Sequence, residues 1–227
     1  MREIIFDTET TGLDHRQGHR IVEIGCVELM NHVPTGRTYQ TYLNPERDMP
    51  TEASMVHGLT DEFLAKQPLF SEVADQFLEF IGDAPLVAHN ADFDMGFINA
   101  ELKRHGFALL DASRAIDTVM MARKMFPGAP ASLDALCKRF GVDASGRQLH
   151  GALLDARLLA DVYLELRGGR QPDLAMAVTA VVEAVVEENI ISREHRAPRI
   201  HVPSEEELHA HEAFLALIKD PLWKRAG

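Results

Sequence analysis

Cysteine is scarce in this chain of 227 residues, which contains only Cys26 and Cys137. The two lie far apart, each within an apolar run. A disulfide scaffold is therefore excluded and a zinc cluster is disfavoured. We expect both to be buried free thiols.

Long uncharged stretches are also lacking. No run approaches the ~18 apolar residues that a membrane-spanning helix needs. The N-terminus, MREIIFDTET, reaches Asp7 before an apolar segment of signal-peptide length can form. These features predict a soluble, cytoplasmic protein with no membrane partner.

Basic charge is in short supply, with 23 Lys and Arg against 35 Asp and Glu and a formal net charge of −12. Proteins that hold nucleic acid by bulk positive charge have the opposite balance. The charge is uneven, however: residues 101–150 contain eight basic and five acidic side chains, and residues 51–100 contain one and nine. Nucleic-acid binding therefore requires local contacts, or metal ions that neutralise the site.

Hydrophobic patterning predicts an α/β domain with a mixed sheet flanked by helices. An antiparallel meander is predicted from three strands, at residues 3–8, 21–29 and 37–43. Apolar residues at helical spacing predict helices at 70–81, 92–105, 117–126, 132–140 and 151–166. Two short buried strands are predicted between these helices, at 85–88 and 114–117.

The globular pattern stops near the Gly168–Gly169 pair, which divides the chain into a domain at 1–168 and a linker with a C-terminal segment at 169–227. Residues 175–191 read as a helix. Ser204, followed by three glutamates, predicts the N-cap of a further amphipathic helix.

Asp7 and Glu9 lie two residues apart at the end of the first strand, so their side chains point to the same face. Adjacent like charges repel unless a cation compensates them, and Mg²⁺ or Mn²⁺ prefers such oxygen ligands. The alternative is a pair of exposed acids at a strand end.

The segment LVAHNADFDMGFIN, residues 86–99, leads from a buried strand into a helix. Asp92 and Asp94 fall in the first helical turn, where capping and the helix dipole alone would explain them. We expect Phe93 and Phe97 to face the core together, and Asp94 to point toward the sheet edge.

His150 and Asp155 are five residues apart, a spacing that diverges by roughly 140° within one helix. They reach one site only if His150 lies on the loop before the helix and Asp155 in its first turns. Gly151 permits that turn. The alternative is a surface histidine and an exposed helical aspartate.

Four carboxylates and one histidine, each at a strand end or helix start, suit a two-metal site for phosphodiester cleavage. Histidine titrates near neutral pH, so His150 is a candidate to take a proton from the attacking water.

Three segments resemble the exonuclease motifs of the DEDD family: FDTETTG at 6–12, HNADFD with Phe97 at 89–97, and HGALLDA at 150–156. The histidine five residues before the last aspartate marks the DEDDh branch. Segments 56–64, 122–128 and 132–143 also resemble the epsilon (proofreading) subunits of bacterial DNA polymerase III.

This resemblance covers residues 2 to about 170 and implies a ribonuclease H-like fold of five strands. It also implies a 3′→5′ DNA exonuclease that proofreads for a bacterial replicase and releases nucleoside 5′-monophosphates. By the same resemblance, Asp7 bridges two divalent cations, Mg²⁺ or Mn²⁺. Glu9 and Asp155 complete the first metal site, Asp94 holds the second, and His150 is the general base.

The resemblance further implies that the backbone of Thr10, Thr11 and Gly12 meets the terminal nucleotide. His57 and Phe93 are candidates for lining its pocket, with a core position as the alternative for Phe93. Asp92 matches no family ligand. A proofreader receives its DNA from the polymerase and grips only a few frayed nucleotides at the 3′ end, which accounts for the acidic balance.

The C-terminal segment predicts partner binding. Residues 201–218 resemble the polymerase-binding end of the epsilon subunits, and the tail is too rich in apolar residues to bury them alone; these are Val202, Leu208, Phe214, Leu215, Leu217, Ile218 and Trp223. Gln171, Leu174 and Met176 fit the loose pattern of peptides that bind the bacterial sliding clamp, with a plain linker as the alternative.

Two other functions are compatible with these residues. One is a free-standing DEDDh nuclease that trims RNA or single-stranded DNA, which the partner-like tail disfavours. The other is a non-catalytic adaptor, which is disfavoured because all five functional positions are filled.

Overall fold

A computed structural model describes residues 1–146, 149–169 and 202–218. The first two ranges belong to one compact unit and the third to another. No helix in these ranges is both long enough and apolar enough to cross a membrane.

The first unit is built on a five-stranded sheet in the order β3-β2-β1-β4-β5. Its strands are β1 (Arg2–Thr10), β2 (Ile21–Met30), β3 (Val33–Tyr42), β4 (Leu86–Ala88) and β5 (Ala115–Asp117). β1, β2 and β3 form the predicted antiparallel meander, and β4 and β5 run parallel to β1. The predicted mixed sheet is thus confirmed.

The third strand begins earlier than the sequence pattern indicated. Asn31 and His32 both adopt positive φ, 52° and 67°, and make a tight turn that lets β3 start at Val33. The first residues of β3, Gly36 among them, are exposed and lack the alternating pattern of a half-buried strand. The sequence pattern therefore predicts a strand only at residues 37–43.

Seven helices pack around the sheet within the described part of this unit: α1 (Thr51–His57), α2 (Asp61–Leu64), α3 (Phe70–Ile81), α4 (Ala91–Arg104), α5 (Thr118–Met125), α6 (Leu133–Phe140) and α7 (Ala152–Leu166). The five predicted helices agree with α3 to α7 to within one residue at each end. α1 and α2 were not predicted, because seven and four residues are too few for a helical period to stand out.

The alternation of β1 decides which helix each of its side chains meets. Ile4 and Phe6 pack in a core with α3 and α4, whereas Ile5 packs in a second core with α6 and α7. By the same alternation, Asp7 and Glu9 share the face of Ile5. Both cysteines are buried free thiols, as predicted.

The start of α7 lies directly on β2. Gly25, the partner of Asp7 across the β1–β2 ladder, leaves no room for a side chain, because a Cβ atom there would overlap the backbone of Ala152 and Leu153. Glu23 Oε2 also accepts a hydrogen bond from the Ala152 backbone N–H at 3.1 Å. These contacts hold the first turn of α7 at the carboxyl end of β1.

The described part of the second unit contains one helix, α8 (Glu205–Leu217). Ser204 caps it as predicted: its hydroxyl accepts from the Glu207 N–H at 3.3 Å, and its own N–H donates to Glu207 Oε2 at 2.8 Å. The exposed apolar side chains of this segment are Val202, Leu208, Phe214, Leu217 and Ile218. The predicted helix at 175–191, the clamp candidates Gln171, Leu174 and Met176, and Trp223 lie outside the described residues.

Candidate active site

A cluster of three polar side chains lies where β1 ends and α7 begins. Glu9, His150 and Asp155 each offer a ligand atom, and these atoms all lie within 4.8 Å of one another. Glu9 and Asp155 are buried, whereas the side chain of His150 is 46% exposed. The cluster therefore combines two buried carboxylates with an imidazole that solvent reaches.

The loop before α7 allows His150 and Asp155 to meet. Gly151 is the extended N-cap of the helix, and the His150 backbone N–H donates to the carbonyl of Val56 at 3.1 Å. The imidazole Nδ1 then lies 3.2 Å from Asp155 Oδ2. His150 therefore lies on the loop and Asp155 in the first helical turn, the arrangement that the five-residue spacing requires.

Asp94 approaches β1 from the opposite face, on the first turn of α4. Its Oδ1 accepts a hydrogen bond from Thr8 Oγ1 at 2.7 Å, between two side chains that are both buried. Burial raises the pKa of Asp94 to about 7, although the hydrogen bonds from Thr8 oppose this and the carboxylate of Asp117 adds to it. This carboxylate is costly to ionise in the folded protein without a cation.

Asp7 is partly buried on the face of β1 that Glu9 shares. Burial raises the pKa of the Cys26 thiol on β2, and the charge of Asp7 adds to that rise. The three-residue cluster contains neither Asp7 nor Asp94. The four carboxylates nevertheless belong to three elements: Asp7 and Glu9 to the carboxyl end of β1, Asp94 to the first turn of α4 and Asp155 to the first turn of α7.

The donors fit hard divalent cations. Carboxylate oxygens dominate the set, and Mg²⁺ and Mn²⁺ prefer such ligands. A cation beside Asp94 would offset the cost of ionising a carboxylate whose pKa has risen to about 7.

A cavity of about 650 Å³ adjoins Glu9. Every residue predicted to meet the terminal nucleotide lines it, namely Thr10, Thr11, Gly12, His57 and Phe93. Phe93 also packs against Phe97, with ring centroids 4.9 Å apart, so it serves the core and the cavity at once. Burial lowers the pKa of His57, which favours its uncharged form.

Sequence reasoning missed two residues near Asp94. Thr8 lies between Asp7 and Glu9 in β1. Because side chains alternate between the two faces of a strand, its position in the sequence was the signal that Thr8 faces α4. Asp117 ends β5 at the same sheet edge, where its Oδ1 accepts from the Val119 N–H at 2.7 Å and caps α5. It also lines a second cavity, of about 870 Å³, together with Asp92.

Comparison with known proteins identifies the family. The sequence model of the exonuclease family RNase_T matches residues 4–163. The chain is 55% identical over 222 residues to the DNA polymerase III subunit epsilon of Rickettsia felis, an alignment that covers 96% of this chain and 97% of the relative. This chain belongs to the epsilon-subunit family of exonucleases. The subunit epsilon of Escherichia coli K12 is 46% identical over 228 residues, covering 96% of this chain and 93% of the relative.

Solved structures agree with this assignment. Exonuclease X in complex with 5′-overhanging duplex DNA superposes with a TM-score of 0.57 at 27% identity, covering 73% of this chain and 90% of that one. The ribonuclease H-like fold is therefore confirmed. Family membership makes this chain a proofreading 3′→5′ exonuclease, and the family implies dependence on divalent metal ions.

Proposed function

We propose that this exonuclease cleaves the 3′-terminal phosphodiester of DNA at the carboxyl end of β1, within a bacterial DNA polymerase III. The observation that carries the proposal is the convergence of Glu9, His150 and Asp155 within 4.8 Å beside the 650 Å³ cavity. An exposed imidazole thus lies next to two buried carboxylates, one of which, Glu9, lines a space large enough for one nucleotide.

Asp7, Glu9, Asp94 and Asp155 would hold two divalent cations, Mg²⁺ or Mn²⁺. When bound, such ions stabilise the attacking and leaving oxygens of an in-line displacement. The chain's own contribution is to fix the carboxylates on three rigid elements. Thr8 orients Asp94, and the contact of α7 with Gly25 sets the height of Asp155.

His150 would take the proton from the attacking water. Its Nδ1 lies 3.2 Å from Asp155, and the hydrogen bond from its backbone N–H to Val56 fixes the loop that carries it. Its exposure lets it return that proton to solvent after each cycle. Histidine is suited to this role because its two forms interconvert near neutral pH.

The cavity would hold the terminal nucleotide. Phe93, Ala53 and Val56 are apolar residues of its lining that could contact the base, and Thr10, Thr11 and Gly12 line the same cavity. Base contact with an aromatic face tolerates every base, which a proofreader needs.

The partners would be the catalytic subunit of DNA polymerase III and the sliding clamp. The exposed apolar side chains of 202–218 support the first, because surfaces of this kind mark protein interfaces. The pattern Gln171-x-x-Leu174-x-Met176 supports the second. The full-length similarity to epsilon subunits, tail included, favours this division over a free-standing nuclease. We propose 1–168 as the nuclease domain and 169–227 as the partner-binding segment.

The decisive experiment is a cleavage assay on a 5′-labelled single-stranded oligonucleotide with Mg²⁺ or Mn²⁺. We expect stepwise shortening from the 3′ end with release of 5′-mononucleotides, and no cleavage with EDTA or in an Asp7→Ala variant. Cleavage that persists in EDTA, or internal cuts, would contradict the proposal.

A further inference from the structure

His19 lies in the loop between β1 and β2 and lines the 650 Å³ cavity together with Thr11 and Phe93. It belongs to none of the exonuclease motifs, which end at Gly12 and resume at His89. The position of its side chain is set by contacts with two other residues of this loop, Gly12 and Thr11.

Gly12 determines where the imidazole of His19 lies. A Cβ atom at position 12 would overlap the His19 ring at Cε1, Nδ1 and Nε2. The edge of the ring therefore passes directly over the Gly12 Cα, in space that only a glycine leaves open. Thr11 fixes the rotation of the ring, since its Oγ1 lies 3.2 Å from His19 Nδ1.

The hydrogen bonds of Thr11 decide which nitrogen of His19 carries the proton. Thr11 is fully buried, and its Oγ1 accepts from the Arg20 backbone N–H at 3.0 Å. Within the described residues His19 Nδ1 is the only other hydrogen-bond partner of this hydroxyl, so donation to Nδ1 is the arrangement that leaves the buried hydroxyl proton paired. Because Nδ1 acts as the acceptor, the ring proton lies on Nε2.

The loop is held in place before any substrate binds. The Thr11 backbone N–H donates to the carbonyl of Arg20 at 2.9 Å and closes the loop. The Arg20 guanidinium donates two hydrogen bonds to Glu101 on α4, of 2.6 and 2.8 Å. The side chains of Thr11, Arg20 and Glu101 are all buried. A donor fixed in this way loses little conformational entropy on binding.

We propose that His19 donates a hydrogen bond from Nε2 to an acceptor atom of the 3′-terminal nucleotide. This inference rests on the proposed function of the cavity. Within the described residues Nε2 makes no hydrogen bond, and the cavity is also lined by three acids, Glu9, Glu52 and Asp14, the last of which pairs with Arg16. Carboxylates repel the acceptors of a nucleotide. His19 thus supplies a donor where the cavity is otherwise rich in negative charge.

One donor serves all four nucleotides. Every base carries an acceptor on its minor-groove edge, N3 in purines and O2 in pyrimidines. The phosphate and sugar also carry acceptors, whatever the base. A residue that reads either group lets a proofreader hold any terminal nucleotide without preferring one.

Three variants of the full-length chain test the donor. His19→Phe keeps a flat ring and removes both nitrogens. His19→Gln places an amide NH₂ near the position of Nε2, and His19→Asn places one near Nδ1 only. We expect the Phe and Asn variants to lose about 3- to 10-fold in kcat/KM, mainly through KM, and the Gln variant to stay close to wild type.

A comparison of two substrates identifies which atom of the nucleotide accepts the hydrogen bond from His19. An oligonucleotide ending in 3-deaza-deoxyadenosine, which has C–H in place of N3, is compared with one ending in deoxyadenosine. If the base is read, the modified end slows wild type by the same factor and leaves His19→Phe unaffected. If wild type ignores the modification while His19→Phe slows on both ends, the acceptor lies on the sugar or phosphate, which also supports the proposal.

Two results would overturn the proposal that His19 is a hydrogen-bond donor. In one, His19→Phe and His19→Asn keep the wild-type kcat/KM. In the other, His19→Gln loses as much as His19→Phe, with matching losses in thermal stability, which would make His19 a structural residue only. A wild-type chain without exonuclease activity would instead defeat the proposed function, so the two failures are distinguishable.

Discussion

The first turn of α7 lies so close to β2 that a Cβ atom at Gly25 would overlap the backbone nitrogen of Leu153. Three residues after Ala152, the same helix presents Asp155 to Glu9. The distance of the Asp155 carboxylate from the sheet therefore depends on Gly25 of β2 having no side chain.

Replacing Gly25 by Ala should push α7 away from the sheet. We expect the free energy of unfolding to fall by ~1–3 kcal/mol from overpacking. Cleavage should fall more steeply than this loss of stability explains, because Asp155 and His150 move together. Denaturant unfolding and kcat at saturating DNA measure the two effects. Gly146→Ala is the matched control, since a Cβ there meets nothing within 4 Å; equal losses in the two variants would contradict this reading.

Replacing Asp94 by Asn should remove nearly all cleavage while leaving the fold intact. Burial raises the pKa of this carboxyl to about 7, so holding it ionised at pH 8 costs the folded protein free energy. A neutral amide avoids that cost and can still accept from Thr8. We therefore expect the Tm in EDTA at pH 8 to hold or rise. Replacing Asp7 by Ala should also abolish cleavage, and substantial residual activity in either variant would rule out their role as metal ligands.

Replacing His150 by Ala should slow cleavage by ~10²–10⁴-fold, the usual contribution of a general base. Since the four carboxylates remain, Mn²⁺ affinity measured by calorimetry should change little. Added imidazole should restore part of the rate by entering the exposed space that the side chain leaves. A rate loss that follows a loss of Mn²⁺ affinity, with no rescue by imidazole, would make His150 a ligand instead of a base.

Truncation after Gly169 should preserve cleavage of short single strands and abolish binding to the polymerase subunit. A milder test changes Leu208, Phe214 and Leu217, all exposed on α8, to Ser. We expect the polymerase to be lost from a pull-down while the nuclease rate stays unchanged. Changing Gln171 and Leu174 to Ala should weaken clamp binding alone. Tight polymerase binding by the truncated chain would contradict the two-part division.

Neither cysteine should react with an aromatic disulfide reagent in the native protein. Cys26 and Cys137 are both buried, and burial raises the pKa of the Cys26 thiol, with the charge of Asp7 adding to the rise. The reactive thiolate is therefore both inaccessible and scarce. Two equivalents should react after unfolding in guanidinium, and rapid labelling without denaturant would show that the domain opens locally.

Several features of this protein follow from its sequence alone. Helices α3 to α7 were predictable because each has eight or more residues with one apolar face. The Ser204 cap was predictable because its partner Glu207 lies three residues away. Helix geometry and the freedom of Gly151 made a pairing of His150 with Asp155 possible, and the resemblance to the exonuclease motifs favoured it over two separate surface residues. Each of these relationships spans few residues, so the local pattern contains all the information needed.

Other features were decided only by tertiary structure. The hydrogen bond from Thr8 to Asp94 joins residues 86 positions apart, and the one from Ala152 to Glu23 joins residues 129 apart. The role we propose for His19 depends on the buried hydroxyl of Thr11 and on the empty space at Gly12, neither of which leaves a periodic signal. Sequence patterns report which residues share a face of one element. The distance between two such faces is set by how the elements pack, and that distance turns separate acids into a site.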